Sequence, residues 1–186
     1  MTKQPERTFT CPWWLLFTFD NPLRRLVHDP LKILSPFVKP GDTVLDVGCG
    51  MGYFSLGLAK LVGEKGKVIA ADLQPQMLAG LLKRAKTAGL ESRIQPQLSQ
   101  PDRIGVNEPV DFALAFWMVH EVRGRREFLK EVHGLVKPGG KFLIVEPVIH
   151  VSGADFEQTI ALSREIGFKA TVKPRVAASR SILFEK

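Results

Sequence analysis

The residues that could do chemistry begin at Val44, where the run VLDVGCGMG leads from apolar residues into three glycines, Gly48, Gly50 and Gly52. Glycines in such a loop let a ligand touch backbone N–H groups. Twenty-two residues past Gly50, a second apolar run ends in Asp72, and a carboxylate at that place can accept from both hydroxyls of a ribose. Together the two features suit a ligand that contains a nucleoside. A dinucleotide loop needs glycine or alanine three residues after its second glycine, and here Tyr53 stands in that place. A Walker-type phosphate loop is excluded because no Gly-Lys-Ser/Thr follows. The spacing, with Asp46 just before it, suits a ligand whose ribose and amino-acid tail cross the turn without a diphosphate.

Other reactive groups lie further along. His120 and Glu121 follow the apolar run from Val110 to Phe116, at the kind of strand end where open α/β sheets bind ligands. His120 is the candidate general base, with a helix cap or a packing residue as its plainer role. Glu146 closes a later apolar run and either faces the same pocket or merely ends a strand. Cys49 reads as a small residue tolerated in the loop, since no histidine adjoins it to support a thiolate. No metal-ligand spacing is present, and none is expected to be needed.

These groups have to be positioned by elements, and the pattern alternates. Apolar runs at Thr43 to Val47, Val68 to Ala71, Arg93 to Leu98, Val110 to Phe116 and Lys141 to Val145 read as strands. Helical periodicity falls over Tyr53 to Val62, Pro75 to Ala88, Arg125 to Leu135 and Ala154 to Ile166, and two more strands, Phe168 to Val172 and Ser181 to Phe184, close the chain. Strand and helix in alternation imply a doubly wound α/β fold with a mostly parallel sheet. Pro96 cannot donate to a ladder, so its strand belongs at the sheet's edge. One domain is expected over residues 41–186. Residues 1–40 form an N-terminal helical extension, with a helix from Asp29 and Pro30 to about Val38. Trp13, Trp14, Phe17 and Phe19 either pack this extension on the sheet or close it over the site as a lid.

Composition narrows the class. The 186 residues are 45% apolar and 24% charged, as for an ordinary globular domain. Two cysteines make neither a disulfide framework nor a four-cysteine zinc site, and the short apolar run from Trp13 to Phe19 is neither a membrane span nor a leader. A cytoplasmic protein is expected. The net charge of +7 invites anionic partners, yet the densest cluster, Arg123, Arg125 and Arg126, is followed by Glu127 and Glu131. Solvated surface accounts for it.

On these motifs the chain resembles the class I S-adenosylmethionine-dependent methyltransferases over residues 40–186. The string DVGCGMG from Asp46 is similar to the family's first motif, Asp72 to its ribose-binding acid, DFALAF from Asp111 to its fourth-strand motif, and LVKPGG from Leu135 to its turn into the fifth strand. The resemblance implies seven strands in the order 3-2-1-4-5-7-6, the seventh antiparallel. It implies that Gly48, Cys49 and Gly50 offer backbone to S-adenosylmethionine, that Asp46 lies near its amino group, and that Asp72 holds its ribose. Leu73 and Met77 would flank the adenine, Ser99 or Gln100 would take the place of the family's adenine-binding acid or amide, and Phe116 would adjoin the cofactor. In-line methyl transfer to a small-molecule acceptor is the expected activity. The base-amino signature of nucleic-acid methyltransferases is replaced by AFWMV from Ala115, so RNA is the less favoured acceptor. A cofactor-binding module without a reaction of its own is the alternative of another class.

Overall fold

A computed structural model describes residues 27–186; the aromatic residues from Trp13 to Phe19 lie outside them. The elements are α1 (Pro30–Leu34), β1 (Thr43–Val47), α2 (Tyr53–Val62), β2 (Lys67–Asp72), α3 (Pro75–Thr87), β3 (Ile94–Leu98), β4 (Val110–Phe116), α4 (Arg125–Leu135), β5 (Val136–Pro147), α5 (Gly153–Ile166), β6 (Lys169–Val172) and β7 (Ser179–Glu185). Single 3₁₀ turns occupy Glu91–Arg93 and Val119–Glu121. The seven strands run in the order β3-β2-β1-β4-β5-β7-β6. The first five pair in parallel and β7 lies antiparallel between β5 and β6.

Burial explains the sheet. β1, β2 and β4 are apolar on both faces because helices cover both. Leu45, Val47 and Ile69 share one core with Leu129 and Val132 of α4 and Phe156 and Ile160 of α5. Val44 and Val68 point the other way, toward Leu34, Leu58 of α2 and Leu81 of α3. With a period of two along β1, Asp46 therefore faces α2. Pro96 sits opposite Ala70 on β3, an edge strand, as its missing N–H requires.

Two boundaries differ from the sequence pattern. α1 stops at Leu34 instead of running to about Val38, because Pro36 has no N–H to continue the ladder; Phe37 and Val38 both turn back to the Leu34 carbonyl. The fifth strand does not wait until Lys141. It starts at Val136, opposite Val110, and resumes with Lys141 opposite Phe112, so that Pro138, Gly139 and Gly140 form a bulge within the strand. A Cβ on Gly140 would stand 2.9 Å from the carbonyl oxygens of Asp111 and Lys137, a packing constraint that periodicity does not show.

The N-terminus of α2 is fixed against α3. Gly52 caps it in a left-handed conformation, φ 81°, and an added Cβ would lie 2.0 Å from Cδ1 of the fully buried Leu81. Gly52→Ala is expected to lose roughly 2–4 kcal/mol from the combined backbone strain and overpacking. Gly89→Ala, with positive φ but open space around it, should lose only about 1–2 kcal/mol. Urea denaturation of both variants checks the difference, and equal losses would mean that Leu81 yields.

Candidate functional site

The glycine loop is tied to β2 by three backbone donors. Gly48 and Cys49 donate to the Ala71 carbonyl at 2.8 and 3.1 Å, and Gly50 donates to Oδ2 of Asp72 at 2.9 Å. The other Asp72 oxygen accepts from Gln74 at 2.9 Å. Asp72 thus fastens the loop and the turn into α3 at once, from a position 9% exposed. Burial raises its pKa, and the N–H groups of Gln74, Gly50 and Leu73 oppose that rise. Gln74, not Asp72, is the N-cap of α3, and it makes no side-chain cap bond.

Asp46 lies behind the loop, 2% exposed, and accepts from Ser55 Oγ of α2 at 2.5 Å. That hydroxyl is its one hydrogen-bonding partner among the described residues. Burial therefore dominates and lifts the carboxyl from 3.8 to about 7; Ser55 works against the shift, and the neighbouring Asp72 adds to it. Cys49 is buried as well, and burial followed by the charges of Asp46 and Asp72 keeps its pKa well above the ordinary thiol value. It is a protonated thiol and no nucleophile.

The remaining cofactor candidates divide. Ser99, just past β3, joins the site through its backbone N–H to the Asp72 carbonyl at 2.9 Å, while its hydroxyl donates to the Ile104 carbonyl at 3.0 Å. Gln100 is exposed and bridges Arg103. Leu73 is 44% exposed whereas Met77 is 1% exposed, so of the two only Leu73 presents surface. Phe116 closes β4 and stacks on Phe54 of α2 with centroids 4.0 Å apart.

Beyond Phe116 the chain leaves β4 abruptly. Trp117 has φ 60°, a strained value for a bulky residue, held by its N–H to the Val145 carbonyl at 2.7 Å and by Nε1 to Ser179 Oγ at 2.9 Å. The bend sets Met118 against the glycine loop, with Cβ and Cγ 3.0 Å from where a Gly48 Cβ would be. The 3₁₀ turn that follows brings His120 to Glu146 of β5, with Nδ1 and Oε2 2.7 Å apart. His150, on the loop after β5, lies parallel to His120 with ring centroids 5.7 Å apart. Burial alone would lower the His120 pKa; the hydrogen bond and charge of Glu146, with Glu121 adding, outweigh it and raise the value, against Arg125. Among the described residues no group of three or more His, Cys, Asp and Glu could hold a metal ion.

Sequence reasoning missed Ser55, Trp117, Met118 and His150. Ser55 leaves a faint trace as a hydroxyl in an otherwise apolar helix. The other three become visible only when the bend after β4 is seen.

A sheet of this order with a glycine loop after β1 and an acid ending β2 is the architecture of the class I S-adenosylmethionine-dependent methyltransferases. A family model described as a methyltransferase domain matches residues 44–140, more than half of the chain, and the chain belongs to that family. The demethylmenaquinone methyltransferase of Lactobacillus johnsonii is 34% identical over 112 residues, covering 59% of this chain and 45% of that protein. The protein of the same name from Bacillus cytotoxicus is 33% identical over 112 residues, covering 59% and 46%. The chain thus spans less than half the length of these relatives. A SAM dependent methyltransferase from Aquifex aeolicus shares the fold with a TM-score of 0.84 and 26% identity, over 94% of this chain and 98% of that one.

A carboxyl raised by burial gives stability that is present below its unfolded value and lost as pH rises through the folded one. For Asp46 that window runs from 3.8 to about 7. The melting temperature of ligand-free Asp46→Asn should gain on the unsubstituted protein as pH rises through this window and hold its lead above it. A difference independent of pH in differential scanning fluorimetry would return Asp46 to an ordinary carboxylate.

Proposed function

We propose that the chain transfers the sulfonium methyl of S-adenosylmethionine to a small-molecule acceptor, with His120 as the general base. The observation that carries this reading is the joining of the glycine loop to Asp72 at one edge of the sheet, with His120 on the next strand's exit. Gly48, Cys49 and Gly50 would offer backbone to the cofactor, Asp72 the ribose acceptor, Asp46 an anion for the amino group, and Ser99 and Leu73 the adenine side. The residues fit such a group: Gly48 and Gly50 both have positive φ, and the buried Asp46 carboxyl has one hydroxyl as its hydrogen-bonding partner among the described residues. Tyr53 opens α2 and donates to the His28 carbonyl at 3.0 Å, so bulk stands where a dinucleotide's diphosphate would pass.

The cofactor supplies an activated methyl with an excellent leaving group. What the chain must add is orientation, plus a base where the acceptor carries a proton. The demethylmenaquinone methyltransferases support a small acceptor by their name. No described helix is long and apolar enough to cross a membrane, and a cytoplasmic setting belongs to the same reading. Residues 1–40 are assigned as an extension to the domain of residues 41–186.

S-Adenosylmethionine and S-adenosylhomocysteine at about a hundred times their dissociation constants should each stabilise the fold by about 2.7 kcal/mol and raise the melting temperature by roughly 5–11 °C, and NAD and ATP should not. Asp72→Ala should weaken cofactor binding by about 1–3 kcal/mol in calorimetry. A shift with NAD and none with S-adenosylmethionine would reject the methyltransferase reading.

The cofactor's ammonium beside Asp46 should pull that carboxyl back below about 7. Binding at neutral pH would then release protons, and affinity would rise with pH through the same range. Calorimetry in two buffers of unlike ionisation enthalpy measures the release. Identical heats would remove Asp46 from the amino group.

A further inference from the structure

Glu146 is 2% exposed and ends the parallel part of the sheet with three donors converging on it. Val119 N–H reaches Oε1 at 3.0 Å, His120 N–H reaches Oε2 at 3.1 Å, and His120 Nδ1 lies 2.7 Å from the same Oε2. Two of these donors are backbone groups with no other acceptor among the described residues. A side chain that accepts from both in a buried place is satisfied best as a carboxylate, and a carboxylate leaves Nδ1 only the part of donor. The lone pair of the neutral ring then sits on Nε2.

We propose that Glu146 is a positioning residue that fixes His120 with Nδ1 protonated and Nε2 as proton acceptor, and that the methyl acceptor is accordingly a hydroxyl on an apolar aromatic ring. The inference rests on the methyltransferase reading and adds the acceptor class to it. A phenolic hydroxyl, with a pKa of about 10, is almost wholly protonated at neutral pH and needs a base. An amine attacks with its own lone pair, and a thiol ionises more readily. The surroundings suit a flat apolar ring: the imidazole of His150 lies parallel to that of His120, and Val148 and Ile149, which precede it, are exposed, Ile149 by 79%.

The proton balance closes within the dyad. The acceptor's O–H bond breaks, its proton binds Nε2, and the pair left on oxygen forms the bond to the methyl while the C–S pair stays with sulfur. His120 becomes an imidazolium held against the Glu146 carboxylate. The charged and titratable groups facing it are Glu146 from β5, Glu121 from its own turn, Arg125 from α4 and His150 from the following loop. Arg125 is held aside by a bond from Nη1 to Thr159 at 3.2 Å.

The test uses the full ¹⁵N-labelled chain with S-adenosylhomocysteine bound, its imidazole nitrogens followed by NMR from pH 5 to 9 and assigned with His120→Gln. The expected result is an Nδ1–H tautomer for neutral His120, and a pKa that falls by about one unit or more in Glu146→Gln. An Nε2–H tautomer in the unsubstituted protein overturns the proposal whether or not the variant folds, and so does an unchanged pKa in a folded variant. With S-adenosylmethionine, 1-naphthol should be methylated and 1-naphthylamine should not. Glu146→Gln should lower kcat at least about tenfold with KM for S-adenosylmethionine unchanged, and move the acid limb of kcat to lower pH. Methylation of the amine at a comparable rate, or none of naphthol by protein that binds S-adenosylmethionine, overturns the acceptor class. Failure to bind S-adenosylmethionine at all overturns instead the reading beneath it.

Discussion

The Asp72 carboxylate, with one oxygen on the Gly50 N–H and the other on the Gln74 N–H, is the interaction on which the site depends. It closes a ring that runs from β1 through the glycine loop, across to β2, and into α3. Without it the loop would be held to β2 only by the bonds of Gly48 and Cys49 to a single carbonyl. Gly50 lies beyond those bonds, and Asp72 holds its N–H while Arg84 of α3 donates to the next carbonyl, of Met51, at 3.1 Å. Each carboxylate oxygen has a second lone pair, so a group that orders the loop can also receive ribose hydroxyls.

Buried carboxylates are costly unless hydrogen bonds replace their lost hydration, and the three in this site are compensated unequally. Glu146 takes three donors and Asp72 two or more. Asp46 takes one hydroxyl, and burial carries its pKa up to about 7. Such undercompensation is out of place in a core selected for stability alone, and it concentrates at sites where a ligand supplies the missing charge. A cation arriving beside Asp46 meets a carboxyl that no other described charge compensates, and draws it into the ionised form.

The alternation of strands and helices was legible because each buried strand is a run too short for a helix and each helix carries one apolar stripe. Pro96 placed β3 at an edge by chemistry alone, and the full strand order came from the resemblance. What could not be read depends on contacts between distant residues. Pro138, Gly139 and Gly140 look like a turn, and they become a bulge only because Val136 pairs with Val110. Glu146 and His120 were each visible as strand-end groups with two roles open. The partnership that separates those roles spans 26 residues and needs β4 and β5 to be neighbours. Trp117 carries no mark of its positive φ, since nothing in a Phe-Trp-Met sequence announces a left-handed residue.

That bend divides the site between two halves of the sheet. β1, β2 and β3 supply the loop, Asp72 and Ser99, joined to one another by backbone donors, whereas β4 and β5 supply His120 and Glu146. Were the halves independent, a base on β4 could stand at any height above the loop. Met118 removes that freedom, because the space where a Gly48 side chain would lie is bounded by Met118 Cβ and Cγ at 3.0 Å. Gly48 is therefore needed twice, for its positive φ and for the close seat it gives the turn that carries the histidine. A larger residue would push the turn and the loop apart by fractions of an ångström, and orientation in a displacement reaction is sensitive on that scale. The glycine whose conformation shapes the loop thus also sets how closely the turn bearing His120 can seat against it.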